Sequence, residues 1–418
     1  MKVKSDGFIG TVMASEGISD ATTLLHGPDG CRKNLASLSS KVYYRPPQGR
    51  FTISTPYYHG MPRVPCTGVI STDYIVGAQK KLADALKFVG GYEKGLITVV
   101  CTPGASLIGD DQEKSIREAG LEGRVVCLDS GLISKSCGEG MDRTLQHIAD
   151  SLIESSWAAP KEEGTVNVLG LNVLTKDWRS VRKEFDEILG LMGLKVTCYL
   201  GAGCTTEEIR RSATAEYNIV VAPEYSRVTA EFYQERFGIP SVTIGYAPVG
   251  FDAVFSLIDK ISEVTGRDAS RAKEYIGVYV ERAYRCMNEA RIDVKGRTFA
   301  IDADPSIAYP LTVWLHDSLA LVPASVRFNG EKDDFCQSSL STFLQQNRLD
   351  KCLEAAPPEF TDYMICDGNT AQLYELSKHC RRGLDVCFPS IQNVDFRESP
   401  VIGCRGAMYL LDRIMNAF

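Results

Sequence analysis

Three cysteines in the first quarter of the chain stand where a thiol could do chemistry. Cys31 closes the run Leu24-Leu25-His26-Gly27-Pro28-Asp29-Gly30-Cys31. Gly27 and Gly30 can take backbone conformations closed to other residues and let a bulky group approach the main chain, which makes them candidate cofactor-binding positions. Cys66 follows Pro65 and precedes Thr67-Gly68, and Cys101 stands where the apolar run Leu96 to Val100 meets Thr102-Pro103-Gly104. All three lie near loop starts, where free backbone amides can hydrogen-bond a metal-bound sulfur and tune its potential. Thiolate ligation there suits iron–sulfur chemistry, because the metal keeps each cysteine deprotonated. For each of them the alternative is a buried cysteine acting as a small hydrophobe. His26, beside the first loop, is a candidate proton carrier, with a structural hydrogen-bonding role as the alternative.

The elements that must position these thiols are legible as apolar runs of strand length, each ending in small or polar residues and followed by a helical pattern. Leu96 to Val100 is one. Val166 to Leu169 leads into a helix near Trp178 to Leu191, and Asn218 to Val221 leads into Ala222-Pro223-Glu224-Tyr225-Ser226. Arg297 to Ile301 leads into Asp302-Ala303-Asp304, and Tyr363 to Cys366 into Asp367-Gly368-Asn369. Strands alternating with helices predict an α/β fold of parallel sheets covered on both faces. The 418 residues exceed one compact core. Three Rossmann-like domains are expected, at about 1–156, 165–270 and 293–418, with a helical connection over about 268–292. Ligands of open parallel sheets gather beyond the carboxyl ends of the strands. In the stretch after Gly109, Asp110 and Asp111 read as caps of a helix that Gly120 closes.

Bulk properties narrow the function classes. A formal charge of −7 and the lack of a long basic run argue against a nucleic-acid surface. No apolar stretch approaches the ~18 residues that span a membrane, and the first twenty residues are too polar for a signal peptide. A cytoplasmic protein is expected, its 14 cysteines mostly reduced. No two are spaced as CxxC, so zinc-ribbon and thioredoxin readings lose support. Of the other eleven, Cys127, Cys198, Cys366 and Cys387 read as core residues, Cys286, Cys336, Cys352 and Cys380 have no partner at metal spacing, and Cys137, Cys204 and Cys404 sit on glycine-containing loops. The dipeptide Gly-Lys is absent, so there is no phosphate loop of the GxxxxGK[ST] kind, and no GxGxxG follows a strand. Any nucleotide hydrolysis, and the electrons for any redox step, must come from outside.

At these residues the chain resembles the component 1 family of nitrogenases and nitrogenase-like oxidoreductases, including dark-operative protochlorophyllide reductase and the F430 reductive cyclase. The pieces are His26-Gly27-Pro28-Asp29-Gly30-Cys31, Ser71-Thr72-Asp73-Tyr74-Ile75-Val76-Gly77 and Leu107-Ile108-Gly109-Asp110-Asp111. Phe237-Gly238-Ile239-Pro240, Pro248-Val249-Gly250-Phe251-Asp252 and Gly403-Cys404-Arg405-Gly406-Ala407-Met408 follow in the family's order. The resemblance covers nearly the whole chain. It implies the nitrogenase component 1 architecture of three Rossmann-like domains. It also implies an iron–sulfur cluster, [4Fe-4S] or P-cluster-like, at a subunit interface, held by cysteines matching Cys31, Cys66 and Cys101. The implied partners are a homologous component 1 subunit, in a homo- or hetero-oligomer, and a separate ATP-dependent iron–sulfur reductase protein.

Three departures bear on substrate. The loop between Cys31 and Cys66 is longer than is usual in the family and carries Tyr43-Tyr44-Arg45-Pro46-Pro47 and Tyr57-Tyr58-His59. Cys101 lies two residues further from Gly109-Asp110-Asp111 than the family pattern has it, so that Pro103 fills the aligned position. The second-domain strand runs into Ala222 and Pro223, where catalytic nitrogenase subunits carry a cofactor-binding cysteine, and no histidine occupies the corresponding late loop of the third domain. Nitrogen fixation by this subunit alone is not expected. The chain reads as a subunit of an ATP-dependent two-component reductase. A non-catalytic scaffold for metallocofactor assembly and a partner of a homologous catalytic subunit remain open, as does a sugar or nucleotide-sugar enzyme with core cysteines.

Overall fold

The computed structural model describes residues 5–43, 63–128, 134–154, 160–290, 294–330, 333–390 and 395–417. The Tyr44 to His59 part of the long loop lies outside them. Two compact units form: Val3–Ala159 with Leu200–Ala213, and Pro160–Tyr199 with Thr214–Phe418.

In the first unit the apolar run Leu96–Cys101 becomes β2, buried along its whole length. It is the middle strand of a parallel sheet with β1 (Ala21–His26) and β3 (Val125–Leu128). Leu24, Ile97 and Val99 from the sheet meet Leu82, Leu86 and Val89 of helix Gln79–Tyr92 in one core cluster. Each such side chain contributes about 1.5–3 kcal/mol through apolar burial. Helices Gly7–Glu16 and Cys137–Leu152 cross closely, because a Cβ on Gly10 would lie 2.1 Å from the Cys137 carbonyl oxygen and one on Gly140 2.2 Å from that of Gly7.

The free edge of β1 is also paired. The Leu25 amide donates to the Pro65 carbonyl (2.8 Å), the Thr67 amide to Leu25 (3.0 Å) and the Val69 amide to Gly27 (3.0 Å). The segment around Cys66 thus runs parallel to β1 as a strand-like ribbon. In space the order is ribbon, β1, β2, β3, so the winding reverses between β1 and β2.

The second unit holds two four-stranded parallel sheets. The first contains β4 (Thr165–Leu169), β5 (Lys195–Tyr199), β6 (Tyr217–Val220) and β7 (Ser241–Val242), in the order β5-β4-β6-β7. The other contains β8 (Thr298–Ala303), β9 (Val322–Phe328), β10 (Thr361–Asp367) and β11 (Cys380–Cys387), in the order β11-β10-β8-β9. Both reverse between their first and third strands, just as the ribbon-bearing sheet does. Helix Trp178–Leu191 forms as the sequence predicts, and helix Ser270–Ala290 fills the expected connection. β8 and β10 run longer than expected. Asp302 and Ala303 are therefore sheet positions, and Asp304 and Asp367 cap the helices that follow.

The C-terminal motif serves packing. Gly403, at φ 89°, opens helix Gly403–Met415, and a Cβ there would sit 2.4 Å from a Glu184 carboxyl oxygen. The Cys404 and Arg405 amides donate to that carboxylate at 2.8 and 3.2 Å, and Arg405 pairs with Glu187 at 2.6 Å. Burial pushes the Glu184 carboxyl up to about 7, against these N–H bonds and the Arg405 charge. The folded state therefore binds the proton more tightly than the unfolded chain does. Stability is greatest below about pH 4.5 and declines toward pH 7 by on the order of 3 kcal/mol from this group. A Glu184→Gln protein is expected to lose that slope. Urea midpoints at pH 5 and pH 7.5 check this, and an unchanged slope would refute the assignment.

Candidate iron–sulfur site and a second crevice

The three thiols surround the winding reversal of the first sheet. Cys101 ends β2 opposite His26, and Cys66 sits in the ribbon opposite Leu25. Cys31 occupies the first turn of helix Asp29–Val42, which starts right after β1. It is a helix residue rather than the loop residue its glycines suggest. The Cys66 sulfur lies 4.0 Å from the Asp29 carboxylate, beside that same turn. Asp29 is held below its usual range by Arg32 and Lys33, which pair with it at 2.6 and 3.0 Å.

The donor set suits metal-bound sulfur. Cys101 is buried and accepts a hydrogen bond from the Gln112 side-chain amide at 3.2 Å. Burial raises the Cys66 thiol, while the Gly68 backbone amide and Arg32 oppose the shift. Cys31 and Cys66 are half-buried at the rim. Among the described residues no three His, Cys, Asp or Glu side chains converge tightly enough for a single metal ion. A cluster of several irons, each taking one thiolate, accepts the wider spacing.

Neither Gly27 nor Gly30 takes a left-handed conformation. A Cβ on Gly27 would strike the Thr102 side chain at 2.3 Å, so its bareness permits contact between neighbouring strand ends. Gly30 lies inside the helix with open space around it.

Beneath the thiols lies a network that sequence reasoning missed. His26 is buried, with Nδ1 3.1 Å from the Thr67 hydroxyl and Nε2 3.0 Å from Asp110. Thr67 also accepts the Gly27 amide at 3.0 Å, and Asp110 accepts the Ala78 amide. Asp111 caps helix Gln112–Ala119 as expected, but Asp110 serves His26 instead. Glu16, fully buried, pairs with Arg63 at 2.7 Å and accepts from Thr23 at 2.6 Å and from Ser39. Arg63 stands three residues before Cys66, so the pair pins the ribbon to the helices behind it. Nothing in the local sequence marks these contacts, since each joins segments distant in the chain.

An apolar surface adjoins this crevice. Ile75, Val76 and Leu107 are 86, 78 and 87% exposed, with Ile70 and Tyr74 also open. Tyr74 packs on Gly104, in the turn that follows Cys101: its hydroxyl is 3.1 Å from where a Gly104 Cβ would be.

In the second unit both winding reversals face one cavity of about 20 Å³, the room a single water needs. Gly170 and Ala222 follow β4 and β6, and Asp304 and Cys387 come from the third sheet. The Tyr225 hydroxyl donates to Asp304 at 3.0 Å, and the Ser306 hydroxyl donates to Glu224 at 2.7 Å. Ala222 and Pro223 bring no thiol here, as the sequence indicates, yet Cys387 does. It is a strand residue as expected, but it opens onto the crevice at the strand's end. Among the described residues no helix is long and apolar enough to cross a membrane.

Comparison with known proteins gives these crevices a context. The family model for nitrogenase component 1 type oxidoreductase matches residues 7–418. The light-independent protochlorophyllide reductase of Halorhodospira halophila, in its B polypeptide, is 28% identical over 177 residues, 41% of this chain and 33% of that protein. Nitrogenase iron-molybdenum cofactor biosynthesis protein NifE of Methanococcus maripaludis is 24% identical over 327 residues, 77% of this chain and 64% of that one. The chain thus spans less than two thirds of the length of these two relatives. The corresponding reductase polypeptide of Leptolyngbya boryana is 23% identical over 379 residues, 82% and 71% of the two chains. In fold, the chain is similar to nitrogenase Cp1 at pH 6.5, with a TM-score of 0.80 and 17% identity over all of this chain and 93% of that one. With the match running from the first helix to the C-terminus, the chain belongs to the nitrogenase component 1 type oxidoreductase family.

Proposed function

We propose that this chain is a subunit of a two-component, ATP-dependent iron–sulfur reductase. Cys31, Cys66 and Cys101 would hold an interface cluster that passes low-potential electrons toward a substrate site. The observation that supports this reading is the placement of three thiols around one winding reversal, at a helix start, in a ribbon and at a strand end. Bound there, such a cluster would supply one-electron storage. The chain's own residues do the rest. Gln112 donates to the Cys101 sulfur, the Gly68 amide opposes the desolvation of Cys66, and Cys31 stands in the first turn of a helix. The half-buried rim of Cys31 and Cys66 suits cover by a homologous subunit, which would exclude water. The apolar surface of Ile75, Val76 and Leu107 suits docking of the ATP-hydrolysing reductase, since it adjoins the thiols. The crevice of Ala222, Asp304 and Cys387 is the proposed substrate site. Reduced thiols and bound iron–sulfur suit a cytoplasmic setting.

The test is anaerobic purification. The wild-type protein is expected to carry iron and sulfide with a visible absorbance that dithionite bleaches. Cys31→Ala should reduce iron content at least several-fold while leaving the circular dichroism unchanged. A wild-type protein that stays iron-free after anaerobic reconstitution would overturn the reading.

A second reading, a scaffold on which a metallocofactor is built, is favoured by the similarity to NifE along 77% of the chain. It predicts metal beyond the interface cluster that passes to a recipient protein, whereas the reductase reading predicts none that transfers.

A further inference from the structure

Three consecutive residues after Gly109 are put to three uses. The Asp110 carboxylate holds the His26 ring at 3.0 Å and the Ala78 amide at 3.0 Å. Asp111 caps helix Gln112–Ala119 by taking the Lys114 amide at 2.9 Å. Gln112 stands in the first turn of that helix, and its side-chain amide donates to the Cys101 sulfur, at the end of β2, at 3.2 Å. With both neighbours fastened, the backbone that carries Gln112 is fixed. The helix owes its start to Asp111 rather than to the Gln112 side chain.

The Gln112 amide engages by one end only. Its Oε1 is sealed from solvent and makes no hydrogen bond. Buried amides ordinarily pair both ends, and an unpaired oxygen costs stability. A neutral thiol is a weak acceptor and offsets little of that cost. A metal-bound thiolate is a charged acceptor, and hydrogen bonds to charged groups are roughly twice as strong as neutral ones. The arrangement therefore suits a Cys101 sulfur that carries negative charge. Cys101 is buried, whereas Cys31 and Cys66 are half-buried. At the rim, water can donate to sulfur. Beneath it, a fixed N–H group acts in a low dielectric and weighs more.

We propose that Gln112 is a positioning residue that raises the reduction potential of the iron–sulfur centre by stabilising negative charge on the Cys101 sulfur. The inference rests on the proposed function, which makes Cys101 a ligand. One electron arrives from the external iron–sulfur donor of that reading, and no bond is made or broken. Part of the added electron density reaches the sulfur, so the Gln112 N–H bond to it is stronger in the reduced state than in the oxidised one. That difference, not the bond itself, moves the potential. The Gly68 amide that acts on Cys66 is main chain and survives any change of side chain. Gln112, by contrast, is a position where substitution resets the potential without touching a ligand.

Gln112→Leu nearly keeps the size of the side chain and removes the donor. Wild-type and Q112L proteins reconstituted anaerobically are expected to carry equal iron and to have the same circular dichroism. At a fixed solution potential the ratio of reduced to oxidised Q112L should be about tenfold lower than that of wild type, a midpoint ~59 mV lower for one electron. A second measurement needs no substitution. Reduced wild-type protein containing glutamine labelled with 15N at its side-chain amide should show a weak nitrogen coupling in pulsed electron paramagnetic resonance, and Q112L should lose it. A packing role alone would produce neither signal. The inference is overturned if loaded Q112L keeps a ratio within about twofold of wild type, or if labelled wild type lacks the coupling. It is equally overturned if Q112L keeps its fold but loses its iron. Failure of the reductase reading looks different, because the wild-type protein then stays iron-free, and this inference falls with it.

Discussion

Arg63→Met is expected to destabilise the first unit by about 3–5 kcal/mol, the usual cost of leaving one member of a buried ion pair without its partner. Glu16 is 0% exposed and has Arg63 as its salt-bridge partner at 2.7 Å. Thr23 and Ser39 donate hydrogen bonds to it but bring no charge. A loss of this size is a large part of the stability of an ordinary domain. It should appear as an early transition in urea followed by circular dichroism. The double variant Glu16→Leu/Arg63→Met should recover most of the loss, because removing both charges removes the desolvation problem with them. Arg63 leads the ribbon into Cys66, so the single variant should also bind iron more weakly at urea concentrations where the fold survives. A loss below about 1 kcal/mol would show that the pair is not the fastening the geometry indicates.

Ile75→Asp is expected to leave stability and iron content nearly unchanged while sharply weakening electron acceptance from an ATP-hydrolysing iron–sulfur partner. An 86% exposed side chain contributes little to the fold, and such substitutions usually change stability by no more than about 0.5 kcal/mol. A charge placed in the centre of an apolar docking face instead costs at least about 2 kcal/mol of binding, roughly 30-fold in affinity. Leu107→Asp, across the same face, should act in the same direction. The readout is partner-dependent reduction of the iron–sulfur absorbance as partner concentration is varied. If neither substitution moves the half-saturation point, the partner docks elsewhere.

The strands that frame both crevices are legible because a parallel strand covered on both faces must be an apolar run, and Leu96 to Val100 or Tyr363 to Cys366 can be little else. The three thiols are picked out because each stands near the start of a loop, and the family resemblance groups them as a set. Their relation is not. The ribbon around Cys66 has no strand pattern, and it joins β1 only through main-chain bonds that side-chain periodicity cannot record. Gly27 reads as room for a cofactor, and its closeness to Thr102, at the end of another strand, leaves no mark in the sequence. Asp110 looks like Asp111, a helix cap, until folding brings His26 beside it. Glu224 sits in a loop after a strand, but its bond to Ser306, far along the chain, exists only once the second and third sheets are folded. Such facts are products of packing, and local spacing carries no trace of them.

The three sheets share one winding, in which the second strand or ribbon lies outside the first and the direction reverses toward the third. That repetition has a consequence for how redox work can be divided along one chain. The crevice of the first sheet is furnished with sulfur, and the crevice shared by the other two is furnished with acid. A carrier of electrons needs soft ligands and dryness, and a source of protons needs carboxyls whose charge is kept in check. On the proposed function, repeating the winding would give each demand a separate address on one chain.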